Sequence, residues 1–214
     1  MTKAYKYKQP LDDALYRKLN KDKSVNHFFQ TKYVGKCIKL ISDFHKYHES
    51  KTHKDWEYSY KCTVGYKQLS YVSQRIHLKN QWIPLEQVKQ YVFYRVIGQT
   101  WNGYQQELSI IDELKAEFTN IDIVKTDFEK DHTYCIDAEI IKDDYIILGI
   151  QIKPISYKMM NTPYQNRAKE NHREKNDNYA RMFAPYVYVY YDDNGIVDKQ
   201  ETINKINTIM HLNI

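Results

Sequence analysis

The stretch Y-C-I-D-A-E-I-I-K-D-D-Y-I-I-L-G-I-Q-I-K-P-I-S-Y, residues 134–157, decides how this chain reads. Its composition predicts a β-hairpin, with strands over Tyr134–Ile141 and Tyr145–Lys153 around the polar turn Lys142-Asp143-Asp144. Side chains alternate between the faces of a strand. Asp137 and Glu139 therefore share one face of the first strand, opposite Ile136, Ala138 and Ile140, while Gln151 and Lys153 share one face of the second, opposite Ile150 and Ile152. Pro154 has no amide hydrogen for a sheet ladder and is expected to end the pairing. An Asp on one strand followed by a polar residue, one spacer and Lys on the next suits phosphodiester hydrolysis. The Asp binds a divalent metal, and the Lys holds or polarises the attacking water. The bland alternative is a charged outer face, because strand charges usually meet water. Against it stands the nearly continuous aliphatic run Ile146, Ile147, Leu148, Ile150, Ile152, which marks a strand buried on both faces. A lysine on such a strand needs a partner.

The bulk numbers fit a globular chain. Its 214 residues suffice for one substantial core, and a single domain over residues 1–214 is expected. With 42% hydrophobic and 28% charged residues, disorder is excluded. No run reaches the roughly 18 apolar residues of a membrane span, so no membrane partner is expected. The start, M-T-K-A-Y-K-Y-K, has no apolar signal region, and Cys37, Cys62 and Cys135 are too scattered for a disulfide framework. Both point to a reducing, cytoplasmic setting. The net charge of +5 is compatible with a polyanionic partner without identifying one. The 21 tyrosines carry no functional reading by themselves.

Outward from the hairpin, residues 1–24 are polar. Lys3, Lys6 and Lys8 alternate with tyrosines in what reads as a solvated tail or an arm on phosphates, and Leu11, Leu15 and Leu19 predict a short helix after Pro10. Helical spacing recurs over Tyr33–Tyr47, over Asp55–Cys62 up to Gly65, from Pro84 to Gly98, and over Asn102–Phe118, with Tyr66–Lys79 ambiguous. His45, His48 and His53 between Cys37 and Cys62 lack zinc-ligand spacing and read as surface histidines. Glu107 lies beside the apolar stripe of Leu108, Ile111, Leu114 and Phe118, as a surface or capping acid or as one that completes a metal site. Ile121–Val124 predicts a strand, followed by a charged loop to His132. The polar stretch 156–182, its latter part a predicted exposed helix, carries Lys158, Gln165, Asn166, Arg167, Lys169 and Arg173, types that read base edges in the major groove. It is either a DNA-contacting segment or a solvated crossover. Ala184–Tyr191 predicts a further strand before the turn Asp192-Asp193-Asn194-Gly195, and Lys199–Leu212 a closing helix. No Walker loop, dinucleotide-binding fingerprint or nucleophile elbow is present.

Helices, then a hairpin carrying Asp, then Lys at the end of the next strand: this order resembles the PD-(D/E)-x-K nucleases, and more narrowly the MjaI-type restriction endonucleases. Four pieces carry the resemblance: T-K-Y-V-G-K-C-I-K-L-I-S-D-F (31–44), T-H-K-D-W-E (52–57), G-Y-Q-Q-E-L-S-I-I-D-E-L (103–114), and I-D-A-E-I with G-I-Q-I-K-P-I-S-Y-K (136–140 and 149–158). The last is the specific one. The resemblance implies an α/β fold, a restriction-endonuclease-like mixed β-sheet flanked by α-helices. It implies Mg2+-dependent hydrolysis of double-stranded DNA by a homodimer at a short palindrome, CTAG within this family, with a cognate DNA methyltransferase protecting host DNA. Asp137 would be the metal ligand, Lys153 the water-activating residue and Glu107 the helix acid near the metal.

One position departs from the pattern. The residue two before the lysine is normally Asp or Glu, and here it is Gln151. An amide oxygen coordinates magnesium but brings no charge. Glu139 and Glu107 are the candidates to supply it. The rival reading is a catalytically impaired DNA-binding protein on the same fold.

Overall fold

The computed structural model describes residues 5–49 and 51–212, and the chain falls into two compact units, Met1–Gln105 and Gln106–Ile214. Of the N-terminal lysines named above, Lys3 lies outside the described residues.

The first unit is helical. Its elements are α1 (Asp13–Lys21), α2 (Lys23–Asn26), α3 (Thr31–Val34), α4 (Cys37–Tyr47), α5 (His53–Lys61), α6 (Val64–Lys79), α7 (Leu85–Phe93) and the start of α8 (Gln99–Glu117). The helix expected over Tyr33–Tyr47 is broken, because Gly35 takes a left-handed φ of 79° between α3 and α4. Gly65 does not stop a helix. It lies in the first turn of α6, which Thr63 caps by accepting the Tyr66 amide at 3.2 Å, and Leu69, Val72 and Ile76 carry that helix's buried stripe through the ambiguous stretch. Gly98 does not end the helix before it either: the chain passes through a π-helical turn, Tyr94–Gly98, into α8. Trp56, Tyr60, Val72, Ile76, Val88 and Tyr91 form the centre of this unit's core. Its N-terminal segment is tied down, since the Asn102 side chain bonds both the N–H and the C=O of Tyr7, each at 2.9 Å. His45 stacks on Tyr104, and His53 on Tyr5.

The second unit is built on a five-stranded mixed sheet in the order β1 (Asp122–Lys125), β2 (Ala138–Lys142), β3 (Tyr145–Pro154), β4 (Tyr186–Asp192), β5 (Gly195–Ile196). Only β3 and β4 run parallel; the other pairs are antiparallel. The hairpin turn uses Asp143 and Asp144 at φ 49° and 67°, the paired left-handed residues that suit strand twist. A bulge between Ile140 and Ile141 shifts the register, so Ile140 faces Leu148 while Ile141 faces Ile146. Pro154 is the last residue of β3, as expected.

The first strand of the hairpin is shorter than predicted. Tyr134 ends a helix, α9 (Phe128–Tyr134), that occupies the expected charged loop; Asp127 caps its start, and Cys135, left-handed at φ 56°, closes its end. Capping by an aspartate and a helical first turn outweigh the β propensity of Tyr134 and Ile136 here. Asp137 still pairs with β3, donating its N–H to Ile150 O at 2.8 Å.

One face of the sheet is apolar. Ala138, Ile140, Leu148, Ile150, Ile152, Val187 and Val189 pack on Ile110, Ile111 and Leu114 of α8 and on Ile206 and Met210 of α11 (Lys199–Leu212). The other face carries Glu139, Gly149 and Gln151 under α10 (Pro163–Met182). That helix lies close because position 149 has no side chain: a Cβ there would stand 2.5 Å from Cε1 of the buried Tyr179. The Tyr179 ring is held there by its hydroxyl, which donates to Glu139 at 2.7 Å. Gly149→Ala is therefore expected to destabilise the protein by about 1–3 kcal/mol, the cost of overpacking a filled core. Chemical denaturation compares it with the wild type, and an unchanged midpoint would mean that α10 is free to shift.

Candidate active site

The end of the sheet where β1 finishes, β2 begins and β3 finishes gathers charge in a place nearly closed to water. Asp137 is 3% exposed. Its Oδ2 accepts the Ile152 N–H at 2.6 Å, and the Lys153 Nζ stands 3.6 Å away. The two residues named from the hairpin motif thus meet across the paired strands. Glu107, on α8 and half-buried, receives the Lys125 Nζ at 2.6 Å. A residue absent from the sequence reading joins them, Asp131 of α9. Thr126 at the end of β1 bonds back to Ile136 O and donates its N–H to Asp137 O, closing the loop that carries α9. The signal for Asp131 was the aspartate cap at Asp127: a helix starting there sets Asp131 in its first turn.

The electrostatics are those of crowded acids held by two cations. Burial, then the charge of Asp137, raises the Glu107 carboxyl above its ordinary range, against the pull of Lys125. Burial, then Asp137 and Glu107, pushes Asp131 up to about 7. For Lys153, burial opposes the charge, but Asp137, Glu107 and Asp131 outweigh it and hold the ammonium above the usual lysine range. Lys125 is raised in the same way, chiefly by Glu107 against its burial. Lys153 therefore stays protonated, and its chemistry is that of a cation and hydrogen-bond donor.

The other candidates have other partners. Glu139 is 7% exposed, and its Oε1 accepts from the Tyr179 hydroxyl and the Lys130 Nζ, both at 2.7 Å. Gln151 is fully buried under α10, its Oε1 accepting from Asn176 Nδ2 at 2.9 Å. The Gln151 Nε2 and the Asn176 Oδ1 have no hydrogen-bond partner among the described residues. In the 156–182 stretch, Gln165 forms a capping box with Thr162, Asn166 donates to Asn161 O, and Lys169 donates to Met160 O at 2.7 Å. Arg173 pairs with Glu170 at 2.5 Å, and Arg167 is exposed. Lys158, Lys169 and Arg173 line one cleft of about 250 Å³ with Tyr157, Tyr188 and Tyr190. In register, Tyr190 stands beside Lys153.

Among the described residues, no three His, Cys, Asp or Glu side chains converge as a ready metal shell. The donor chemistry of the cluster nevertheless suits a hard divalent cation. Glu107, Asp131 and Asp137 offer carboxylate oxygens; burial and then mutual repulsion raise the proton affinity of the first two, and a bound cation would relieve the repulsion.

A mixed sheet carrying an Asp–Lys pair where two adjacent strands meet, with further acids from the flanking helices, defines the restriction-endonuclease-like class of α/β nucleases. Residues 18–205 match the model of the MjaI restriction endonuclease family, and the chain belongs to that family. No curated protein and no solved structure matches the chain. No helix among the described residues is long and apolar enough to cross a membrane.

The raised Asp131 carboxyl has a measurable consequence. Its ordinary value is 3.8. Between about 4 and about 7 the folded state keeps a proton that the unfolded chain has released, so in metal-free buffer stability falls as the pH rises through that window. Asp131→Asn removes this slope. Denaturant midpoints from pH 4 to 8 should show the variant gaining on the wild type by on the order of 1–3 kcal/mol, an allowance discounted for partial exposure. Parallel curves would place Asp131 outside the cluster.

Proposed function

We propose that this chain is a type II restriction endonuclease that hydrolyses double-stranded DNA at a short palindrome, CTAG by family resemblance. The observation that carries the reading is the buried Asp137–Lys153 pair with Glu107 and Asp131 beside it, in a chain of a restriction endonuclease family. Asp137 would be the Mg2+ ligand, with Glu107 and Asp131 as acids near the metal. When bound, the ion neutralises phosphate charge and lowers the pKa of water. Lys153 orients the attacking water by donating a hydrogen bond and offsets the charge that develops on the phosphate. The Ile152 N–H fixes the Asp137 carboxylate, so its direction is set before DNA arrives. Glu107 and Asp131 supply the negative charge that Gln151 lacks, while Gln151 and Glu139 hold α10 against the sheet. A palindrome is two-fold symmetric, which matches a homodimer, and a cognate methyltransferase would protect host DNA in the cytoplasm.

The impaired, DNA-binding alternative draws on one observation: the position of the usual second acid is an amide turned toward Asn176. Incubation of plasmid with and without magnesium separates the two readings. Discrete, magnesium-dependent fragments establish the enzyme, and intact plasmid that is nonetheless retained by the protein establishes the alternative. Asp137→Asn and Lys153→Ala should each lower cleavage about a hundredfold or more, with DNA binding retained in Lys153→Ala. Glu107→Gln and Asp131→Asn, assayed across magnesium concentrations, identify which acid compensates for Gln151. Wild-type cleavage by both Asp137→Asn and Lys153→Ala would make this hairpin scaffolding.

The cleft beside Lys153 supports DNA contact by Lys158, Lys169 and Arg173, while Gln165 and Asn166 cap and brace the start of α10 and Arg167 stands free to reach DNA. If Arg167 reads a base, Arg167→Ala should weaken cognate binding by about tenfold or more and relax discrimination. An equal loss on cognate and random duplex marks a phosphate contact instead.

A further inference from the structure

A cavity in the N-terminal unit takes no part in the chemistry above. It encloses about 760 Å³, within the range of small-molecule sites. Its walls combine two features. The rings of Tyr7, Tyr66, Phe93 and Tyr94 give flat apolar faces, and the side chains of Lys6, Lys8, Lys67 and Lys89 bring positive charge. The lining holds one carboxylate, Glu86, which is paired with Lys89 at 3.2 Å. Ser70 and Gln90 add uncharged hydrogen-bonding groups.

The fold makes specific provision for this space. The N-terminal segment that forms one wall is bonded in place by Asn102 on both sides of Tyr7 and by the Trp101 indole, which donates to Tyr5 O at 2.7 Å. Tyr7 turns its hydroxyl away, toward His53 O and Glu57, leaving its ring to the wall. Tyr94 begins the π-helical turn, a local widening that recurs at functional sites. Gly98, at the end of that turn, permits the approach of both rings: a Cβ there would stand 2.8 Å from Tyr94 Cδ2 and 3.0 Å from Tyr7 Cβ.

We propose that this cavity binds a nucleotide, its base against the aromatic rings and its phosphate on the lysines. Rings select a flat π-system, and the excess of ammonium groups selects an anion; a nucleotide is both. The unit could come from a free nucleoside phosphate or from an unpaired residue of a DNA strand. The inference stands whether or not the hairpin site cuts DNA.

The test uses the full chain in magnesium-free buffer with EDTA, where cleavage cannot intervene. Titration calorimetry compares deoxyadenosine 5′-monophosphate with deoxyadenosine and with inorganic phosphate. A second arm compares a duplex carrying one unpaired adenosine with its fully paired counterpart. Lys67→Glu and Lys8→Glu reverse charge at exposed wall positions, and Ser70→Trp fills the space without touching the core. Glu201→Gln, at an exposed position of α11, serves as the control and should leave binding unchanged. Monophosphate binding at least tenfold tighter than either fragment, lost in the three variants, supports a free nucleotide as ligand. A preference for the bulged duplex, lost in the same variants, supports a strand-borne one. Absence of both, or binding that persists in Lys67→Glu and Ser70→Trp, overturns the proposal.

Discussion

Buried charge is the constraint on which the second unit depends. Glu107, Lys125, Asp131, Asp137 and Lys153 sit where water reaches poorly, and none is tolerable there alone. Each carboxylate needs an ammonium or a backbone N–H, and each ammonium needs a carboxylate. That requirement fixes the strand ends with respect to one another more tightly than apolar packing does, because ion pairs and hydrogen bonds are directional. The same crowding leaves two carboxyls reluctant to ionise, a strained arrangement of the kind that functional sites retain.

Much of this was legible in the sequence. The hairpin, the Asp137–Lys153 pairing, the face alternation of Gln151 and Lys153, and the closing helix over Lys199–Leu212 follow from period-two and helical spacing together with turn chemistry. What escaped had physical causes. Tyr134 and Ile136 look like strand residues, but Asp127 starts a helix that runs up to Cys135, so β2 begins later than its composition indicates. Tyr66–Lys79 is polar and tyrosine-rich, and its helical stripe rests on just Leu69, Val72 and Ile76. The Asp127 cap sets Asp131 in a helical first turn, but its place beside Asp137 depends on the loop closure by Thr126, whose hydroxyl reaches a carbonyl ten residues away.

The polar character of α10 now has a structural account. One side of this helix faces the sheet through Asn176 and Tyr179, both fully buried, and these reach Gln151 and Glu139. The contact between helix and sheet thus adds two buried hydrogen bonds to the packing of Tyr179 with Ile136 and Ala184, where the opposite face of the same sheet is aliphatic. A polar contact sets position by geometry and leaves little tolerance for sliding. That suits an element whose exposed side carries Arg167 and Arg173 and whose edge lines the cleft beside Lys153.

The margins of the sheet carry a consequence for assembly. At one side the outermost strand is β1, four residues long and ending in the ion-paired Lys125; at the other it is β5, of two residues. The short β1 border exposes few unpaired amides and carbonyls, which guards a β-protein against uncontrolled strand-to-strand aggregation, whereas β5 pairs only Tyr191 and Asp192 of β4. In the homodimer proposed above, a two-fold partner recognised by side chains on helices or loops would let a single substitution alter specificity without disturbing the strands that hold the charged cluster.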